Sequence, residues 1–381
     1  MKVLMIPSWY PSEENPLLGT FYREQAQALA ARGVDMAVAY VNVGSDLRRG
    51  HGGVRVREVG GVREYTDAHP NYTPRLERGR CWQRTRMLRR LYRRIEAEWG
   101  RPDVVNLRSS LQGYEALDLC RRERLPLFFM EHSSFVVTEG SDSAAVRRLH
   151  AVMDAAAVSA CVGTTLLRVM QPYGETRIIP DFVDGERFHP MAVERPPEEA
   201  GAFVFRAMGQ LRPIKGHDTL IRAFARLREL TGRPVRLDIA GAGALRDTLE
   251  RLIDDCGVRD ACRLVGTIPR DGVAAFMNGC DCFVCSSRTE MLSCVLHECA
   301  ACGKPAIATM CGGPQDIVTP ESGVLVPVDN VEDMAKAMLA MLDRAGTYNP
   351  ARIRESILER FGMDAVCAKL IAACKEAAGR R

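Results

Sequence analysis

Short apolar runs alternate with amphipathic segments along the first part of the chain. The apolar runs are typical of buried strands, and the amphipathic segments repeat their apolar residues at helical spacing. Strands that alternate with helices in this way are typical of a parallel sheet covered on both faces. The alternating segments are 2–6, 21–31, 36–41, 104–107, 111–121 and 127–130.

A break in this pattern near Asp181 divides the chain. The stretch DFVDGERFHPMAVERPPEEAG is rich in Pro, Gly and charge, which is typical of an interdomain linker. A second alternating series follows it, and 381 residues exceed what one hydrophobic core usually serves. The sequence therefore predicts an α/β protein with two doubly wound, Rossmann-like domains, at 1–185 and 200–360. A C-terminal helix at 361–381 is expected to pack back on the first domain.

Composition narrows the class of protein. Hydrophobic residues make up 46% of the chain and charged residues 26%, which is the profile of an ordinary globular protein. The opening MKVLMIPSWYP lacks the features of a signal peptide, and no apolar stretch approaches the length of a membrane span. We therefore expect a cytoplasmic protein whose fourteen cysteines are reduced. The densest group, between Cys280 and Cys311, lacks the paired spacing of a zinc site and favours structural thiols.

Positive charge is concentrated in one segment. The formal net charge of +4 is too small to indicate nucleic-acid binding, but ten arginines and three glutamates lie between Arg75 and Arg101. Apolar residues recur there at helical spacing, which predicts an amphipathic helix. Its basic face is either solvated or rests on anionic lipid headgroups, to which such helices adsorb. Those apolar residues are Leu88, Leu91, Tyr92, Ile95 and Trp99.

Candidate chemistry lies in the loops that follow strands, where ligands of parallel α/β sheets bind. In SSRTEMLSCVLHE, Glu290 lies in a loop and Glu298 lies in the helix that follows. A helix that starts after Met291 would aim the backbone N–H groups of Leu292 and Ser293 at a ligand, and that electropositive end suits a diphosphate. The two carboxylates could then accept hydrogen bonds from sugar hydroxyls. The alternative is one exposed loop glutamate and one on the helix surface.

Three further loops carry related signals. In GQLRPIKGHD, Arg212 and Lys215 precede a helix and could clamp phosphate oxygens. The turn GAG after the strand at 235–240 fails as a dinucleotide fingerprint because Arg246 replaces the third glycine. In CGGPQDI, Gly312 and Gly313 allow the backbone to approach a ligand closely.

Several of these segments together resemble a known family. The run from Gly266 to Asp329, with SSRTEMLSCVLHECAACGKPAIATMCGGPQDIV and GVLVPVDN, resembles the C-terminal domain of family 4 retaining glycosyltransferases. MGQLRPIKGHDTLI, RIIPDFVD and PSWYPSEENPLLGTFYREQAQAL are similar to other segments of that family. The resemblance implies the GT-B fold, in which two Rossmann-like domains face each other across a cleft. It implies metal-independent transfer from a UDP- or GDP-sugar to a saccharide or lipid-linked saccharide, with retained configuration and no cofactor.

The resemblance also assigns roles to individual residues. Glu298 would hold the ribose, Glu290 and the following amides would meet the sugar and the diphosphate, and a lysine with a nearby arginine would neutralise the leaving group. A histidine after the strand at 127–130 would contact the donor sugar, and a glycine in the first loop would allow close approach. The implied catalytic residues are His132 and Glu290, and the implied donor-binding residues are Gly19, Arg212, Lys215, Glu290, Leu292, Ser293 and Glu298.

Departures from the family pattern and rival functions remain open at this stage. Gln210 stands where the family often has Arg. Met291 stands in a loop that usually contains Gly, so the sequence does not identify the donor sugar. One rival is a non-catalytic GT-B subunit that binds a nucleotide sugar or acts as a scaffold. An NAD-dependent dehydrogenase is disfavoured by the missing fingerprint. The expected partners are the donor, the acceptor and, if the basic helix adsorbs to lipid, the inner face of the cell membrane. Nucleic acid is not an expected partner.

Overall fold

The chain forms two compact units in a computed structural model that describes residues 1–12, 15, 18–44, 53–73, 76–140 and 143–380. Unit 1 comprises Met1–Pro180 and Val366–Arg381, and unit 2 comprises Asp181–Ala365. The Pro- and Gly-rich stretch after Asp181 is thus grouped with unit 2. The last helix, Met363–Gly379, has most of its length in unit 1, where Glu376 pairs with Arg177 at 2.5 Å.

Unit 1 contains an eight-stranded sheet in the order β3-β4-β2-β1-β5-β6-β7-β8. Every neighbouring pair is parallel except β3 and β4, which form an antiparallel hairpin. The strands are β1 (Lys2–Pro7), β2 (Asp35–Gly44), β3 (Gly53–Val59), β4 (Val62–Pro70), β5 (Val104–Arg108), β6 (Leu127–Glu131), β7 (Val158–Cys161) and β8 (Arg177–Ile178). The helices are α1 (Thr20–Ala30), α2 (Glu77–Glu98), α3 (Gly113–Glu123), α4 (Phe135–Thr138), α5 (Ala144–Ala155) and α6 (Thr164–Met170).

The β3–β4 hairpin is a feature that the alternating pattern did not predict. Strand β3 reads GVRVREV and is largely exposed, so it lacks the apolar run by which the other strands are recognised. Its turn is the pair Gly60 and Gly61, with φ of 57° and 76°. Two consecutive residues with positive φ form the tight turn that joins antiparallel strands, and glycine adopts that conformation without strain.

Unit 2 contains a six-stranded, wholly parallel sheet in the order β11-β10-β9-β12-β13-β14. Its strands are β9 (Phe203–Met208), β10 (Val235–Ala240), β11 (Cys262–Gly266), β12 (Cys282–Cys285), β13 (Ala306–Thr309) and β14 (Gly323–Val326). The helices are α7 (His217–Leu230), α8 (Arg246–Asp255), α9 (Val273–Asn278), α10 (Cys294–Ala301), α11 (Pro314–Ile317), α12 (Val331–Arg344) and α13 (Pro350–Phe361). The last helix, α14 (Met363–Gly379), begins in unit 2 but has most of its length in unit 1.

The strand order fixes where a ligand is expected in unit 2. The chain runs outward from β9 to β11 and then returns to the other side of β9 at β12. The loops that follow β9 and β12 therefore leave the sheet side by side at a topological switch point, where open α/β sheets bind ligands. Both loops had been singled out from the sequence.

An apolar core holds the unit 2 sheet against its helices. Phe205 and Leu237 from the strands pack with Phe224 of α7, Ile253 of α8 and Met338 of α12, and all five are fully buried. Most cysteine side chains are buried, and all fourteen are free thiols. Among the described residues, no helix is both long enough and apolar enough to span a membrane.

Candidate active site

Two loops of unit 2 interlock at the switch point. The loop after β9 ends at Gly216, whose φ is 61°, and a Cβ atom there would lie 2.1 Å from the carbonyl oxygen of Ser286. The Ser286 hydroxyl donates to the carbonyl oxygen of Lys215 at 2.9 Å. This close packing brings the Lys215 ammonium to 2.6 Å from Oε1 of Glu290. The two residues that the sequence assigned to phosphate and sugar are thus in direct contact.

Glu290 is held from three directions. The Ser287 hydroxyl donates to its Oε1 at 2.7 Å, and Lys215 donates to the same oxygen. Its backbone N–H donates to Cys311 O at 3.2 Å, and its carbonyl accepts from Gly313 N–H at 2.8 Å. The side chain is only 12% exposed. The CGG loop, Cys311 to Gly313, therefore fixes the backbone of Glu290, while Lys215 and Ser287 hold its carboxylate.

Lys215 stays positively charged in this setting. Burial lowers the pKa of Lys215, but attraction to the Glu290 carboxylate outweighs burial and leaves the pKa above its ordinary value. The neighbouring His217 behaves differently, since burial and then the Lys215 charge lower the pKa of this imidazole to about 4. The junction of this loop with α7 therefore holds one ammonium group and one buried, neutral ring at physiological pH.

Helix α10 begins later than the sequence pattern suggested. Its first residue is Cys294, with Ser293 at the cap position, rather than a residue directly after Met291. The side chains of Leu292 and Ser293 are 9% and 2% exposed. A Cβ atom on Gly313 would lie 2.7 Å from the Cα atom of Leu292, so the CGG loop presses directly on this backbone. Any contribution of these residues to a ligand is therefore through the main chain.

Glu298 lies one turn into α10 and has a cationic partner that sequence reasoning missed. Arg270, in the turn after β11, forms an ion pair with Glu298. The Arg270 guanidinium also lies 5.0 Å from the ring centroid of Phe188, which is fully buried. Glu298 is itself only 9% exposed at its side chain. The available signal for Arg270 was a basic residue in the loop that follows a strand of the parallel sheet.

Arg212 is placed differently from Lys215. Its side chain is exposed, and within the described residues its hydrogen bond is to Oε1 of Gln210 at 3.5 Å rather than to the Lys215–Glu290 pair. A second arginine, Arg288, braces the same loop. It pairs with Asp218 at 2.9 Å and Asp329 at 2.8 Å and donates to a carbonyl of the loop. Sequence reasoning did not find Arg288, although it lies only two residues before Glu290.

Gly19 and His132 both lie in unit 1. Gly19 has φ 70°, and a Cβ atom there would lie 2.6 Å from Trp9 O, so only glycine fits against the loop after β1. His132 directly follows β6, and its ring packs against Tyr22 and Phe21 of α1 at centroid distances of 5.1 and 5.9 Å. Both residues thus lie on loops at the carboxyl ends of parallel strands.

Comparison with known families identifies the chain. The family described as glycosyl transferases group 1 matches residues 193–356, and glycosyltransferase family 4 matches residues 18–187. Together the two matches cover most of the chain. The chain is a family 4 glycosyltransferase. This confirms the family that the sequence motifs indicated.

Two curated relatives of this family 4 glycosyltransferase share about a third of their aligned residues with it. It is 32% identical over 197 residues to a lipopolysaccharide core biosynthesis glycosyltransferase of Rhizobium meliloti, covering 50% of this chain and 55% of that one. It is 31% identical over 217 residues to a GDP-mannose-dependent α-(1-6)-phosphatidylinositol monomannoside mannosyltransferase of Mycobacterium tuberculosis, covering 52% and 55%. The chain spans about half the length of these curated relatives.

Solved structures show the fold of this glycosyltransferase. HepE of Anabaena, in complex with UDP and glucose, superposes with a TM-score of 0.75 at 17% identity, covering 98% of this chain and 99% of that one. Such a likeness shows the fold alone, and that fold is GT-B, with two Rossmann-like units. Among the described residues there is no cluster of three or more His, Cys, Asp or Glu side chains that could hold a metal ion.

Proposed function

We propose that the chain transfers a sugar from a nucleoside diphosphate donor to a hydroxyl of a saccharide or lipid-linked saccharide, without a metal and with retained configuration. The observation that carries this proposal is the ion pair of Lys215 and Glu290 at the switch point of unit 2. A cation and a carboxylate held side by side suit a ligand that has an anionic part next to a neutral, hydroxyl-bearing part. A sugar diphosphate is such a ligand.

The diphosphate is stabilised by fixed positive charge in this proposal. Lys215 carries a full charge, and the start of α10 adds backbone N–H groups at an electropositive helix end. These groups are preorganised toward the charge that develops on the leaving group, which is an effective form of electrostatic catalysis. Arg212, which is exposed, joins them only after its side chain reorients toward the bound phosphate.

Two glutamates bind the remaining parts of the donor, one the sugar and the other the ribose. Glu290 accepts a hydrogen bond from a sugar hydroxyl once Lys215 turns to the phosphate, and Glu298 accepts hydrogen bonds from the ribose. Arg270 holds Glu298 until the ribose arrives and stays beside it afterwards. His132 donates to a sugar hydroxyl, and Gly19 allows close approach of the loop after β1. No residue is assigned as a general base.

The names of two relatives support a UDP-sugar or a GDP-sugar as the donor to be tested first. One relative is named for GDP-mannose, and one structural neighbour was solved with UDP. Screening UDP- and GDP-sugars by ligand-induced stabilisation identifies the donor, because a ligand that binds only the folded state raises the melting temperature. Absence of a shift with every nucleotide sugar would favour the scaffold function instead.

The experiment that tests the site separates the two glutamates. Glu298→Ala should weaken binding of the free nucleoside diphosphate about tenfold to a hundredfold, as expected for a lost hydrogen bond to a charged group. Glu290→Ala should leave that affinity unchanged and lower turnover. Titration calorimetry and initial rates give both values, with the exposed Glu359→Ala as a matched control. Wild-type affinity and full turnover in both variants would remove the paired-glutamate site.

A second proposal concerns the surface of α2, which we propose adsorbs to anionic membrane. The apolar residues expected to be buried in this helix are buried, but five of its arginines form ion pairs within unit 1. This arrangement neutralises much of the basic face expected from the sequence. The pairs are Arg80 with Glu77, Arg84 with Glu115 at 2.7 Å, Arg89 with Asp118 at 2.5 Å, Arg90 with Asp67 at 2.6 Å and Arg94 with Glu98 at 2.7 Å.

What favours adsorption is a smaller surface around Trp82. Trp82 is 64% exposed and lies 5.6 Å beneath the Arg86 guanidinium, and Leu76 and Tyr72 are exposed nearby in sequence. Aromatic rings beside cations suit the boundary between headgroups and acyl chains. Trp82→Ala should weaken binding to anionic vesicles more than Tyr173→Ala, which removes another exposed ring. Equal partitioning onto neutral and anionic vesicles, unchanged by salt, would leave α2 a solvated surface.

A further inference from the structure

Arg288 connects three segments of unit 2 at the switch point. Its backbone N–H donates to the carbonyl oxygen of Ile214 at 2.7 Å, and its Nη1 donates to the carbonyl oxygen of Pro213. Nη1 and Nη2 each donate to one carboxylate oxygen of Asp218, at 3.0 and 2.9 Å. Nε donates to Oδ2 of Asp329 at 2.9 Å. Every nitrogen of the guanidinium thus has a partner, and the bidentate contact fixes its orientation.

The contacts of Arg288 lie on both sides of Lys215 along the chain. The two residues that precede Lys215 both accept hydrogen bonds from Arg288, and Asp218 follows in the first turn of α7. Arg288 itself lies two residues before Glu290, in the loop after β12. It therefore holds the backbones of both members of the Lys215–Glu290 ion pair, through contacts that are separate from that pair.

Asp329 takes part in this connection from an unfavourable backbone conformation. Its φ is 54°, in the left-handed region that costs free energy for residues other than glycine. Its carboxylate accepts from Nε of Arg288 and, at 2.9 Å, from the hydroxyl of Thr219. The hydrogen bond from Arg288 lowers the pKa of Asp329, which keeps this carboxylate charged at neutral pH. Backbone strain of this kind occurs preferentially at functional sites.

The function proposed above requires the ion pair in unit 2 to open, since Lys215 turns to the phosphate and Glu290 turns to a sugar hydroxyl. Once the pair is open, it no longer connects the two loops. We infer that Arg288 is a positioning residue that keeps the loops of Lys215 and Glu290 in place while their ion pair opens for the donor. This inference rests on the proposed function and adds that the loops are held by bonds that the donor does not displace.

The exposure of its partners indicates that Arg288 affects turnover more than folding. The side chains of Asp218 and Asp329 are 42% and 48% exposed, and ion pairs with such exposed carboxylates contribute little to stability. Position has a larger effect, because displacement of a catalytic group by about 1 Å can lower a rate about 10²-fold. Loss of Arg288 should therefore be measurable in kcat even in a protein that stays folded.

A double-mutant cycle on kcat tests this role in the full-length protein. Arg288→Ala should lower kcat about tenfold to a hundredfold, and Arg288→Lys, which keeps the charge but loses the bidentate fork, should recover only part of the loss. If Arg288 acts through Lys215, Arg288→Ala should lower kcat little further in a protein that already carries Lys215→Ala. The same fold loss in both backgrounds would overturn the inference.

Asp329→Gly offers a variant in which a partner of Arg288 is lost and the unfavourable φ is relieved. Its kcat should fall about threefold to tenfold, as expected for one lost hydrogen bond, and wild-type kcat would overturn the inference. The matched control is Arg259→Ala. This arginine also pairs with two carboxylates, those of Asp254 and Glu250, but it precedes β11 and lies at the opposite edge of the sheet. An equal loss of kcat in the control would overturn the inference as well.

Hydrogen exchange of the loop amides separates this inference from the proposed function, because it needs no assay of activity. Exchange in the segments 209–217 and 286–291 should be about tenfold faster in Arg288→Ala than in wild type, and close to wild type in Lys215→Ala, which lacks only the ion pair. Faster exchange in Lys215→Ala than in Arg288→Ala would overturn the inference, whether or not the protein transfers sugar. Absence of transfer in the wild type, with the expected exchange, would instead count against the proposed function.

Discussion

The two units hold their candidate site residues by different chemistry. In unit 2 each proposed donor-binding carboxylate faces a cation, Glu290 facing Lys215 and Glu298 facing Arg270. In unit 1 the carboxylate next to the site, Glu131, is satisfied by backbone N–H groups. A side-chain ion pair can exchange its partner when a charged ligand arrives, whereas main-chain bonds hold a loop in one shape. Unit 2 therefore offers ion pairs that can respond to an anion, and unit 1 keeps the loop after β6 in one shape.

The largest expected effect is on stability, from removal of the backbone-bound carboxylate. Glu131→Ala leaves three buried N–H groups without their acceptor, and each such group costs about 1–3 kcal/mol. The free energy of unfolding should fall by at least about 3 kcal/mol, as measured by urea denaturation. Glu131→Gln, which keeps an acceptor oxygen, should fall between this variant and wild type. A loss below about 1 kcal/mol in the alanine variant would mean that the backbone hydrogen bonds of Glu131 do not hold this part of unit 1 together.

Substitution of Lys215 tests the role of the ion pair in unit 2, and the expected effect is on kcat rather than on stability. Lys215→Ala deletes a fixed charge at the leaving diphosphate, and loss of one such preorganised group typically lowers kcat about 10²- to 10³-fold. Steady-state kinetics with the identified donor measure the effect. The control is Lys336→Ala, which removes an exposed lysine on α12 and should leave kcat unchanged. A change of KM alone would mean that Lys215 binds the ground state and the transition state equally.

A third prediction concerns how the free energy of unfolding depends on pH. It rests on His297, a buried imidazole of α10 that, unlike Glu298, is not held by an ion pair of its own among the described residues. His297 is fully buried against the ring of Phe361, and burial lowers the pKa of this imidazole to about 3. The ring binds a proton near pH 6.5 when unfolded but only near pH 3 when folded. Its contribution to stability is therefore present above about pH 6.5 and is lost as pH falls, at about 1.4 kcal/mol per pH unit.

Substitution of His297 separates its pH-dependent contribution to the free energy of unfolding from those of other titrating groups. His297→Leu removes the titrating ring, so its free energy of unfolding should fall less steeply than that of wild type between pH 6.5 and about 4. Urea denaturation of both proteins at matched pH values gives the two slopes. Parallel slopes would mean that His297 does not contribute to the acid sensitivity of unit 2.

The smallest expected effect is that of chelation. If Lys215 and the start of α10 stabilise the diphosphate, sugar transfer should continue in EDTA at the rate seen without it. Loss of turnover in EDTA, with recovery on addition of Mn²⁺ or Mg²⁺, would contradict the metal-independent mechanism and would assign phosphate stabilisation to an ion.

Much of the fold could be predicted because the hydrophobic period is local information. The helix expected at 21–31 is observed as Thr20–Ala30, and the strand expected at 127–130 as Leu127–Glu131. The β3–β4 hairpin escaped prediction because its strands are partly exposed and lack a continuous apolar run. The start of α10 was placed too early because helix boundaries depend on where the chain leaves the sheet, which adjacent residues alone do not encode.

The amino-acid sequence by itself determined the two alternating α/β series, the family, and the loops in which chemistry is expected. Only the tertiary structure decided which side chains meet. Lys215 and Glu290 are 75 residues apart and Arg270 and Glu298 are 28 apart, so neither contact follows from local spacing. The same holds for Arg108 and His132, which meet because β5 and β6 are neighbouring strands. Local pattern specifies elements, but contacts between distant residues depend on how the sheets order those elements.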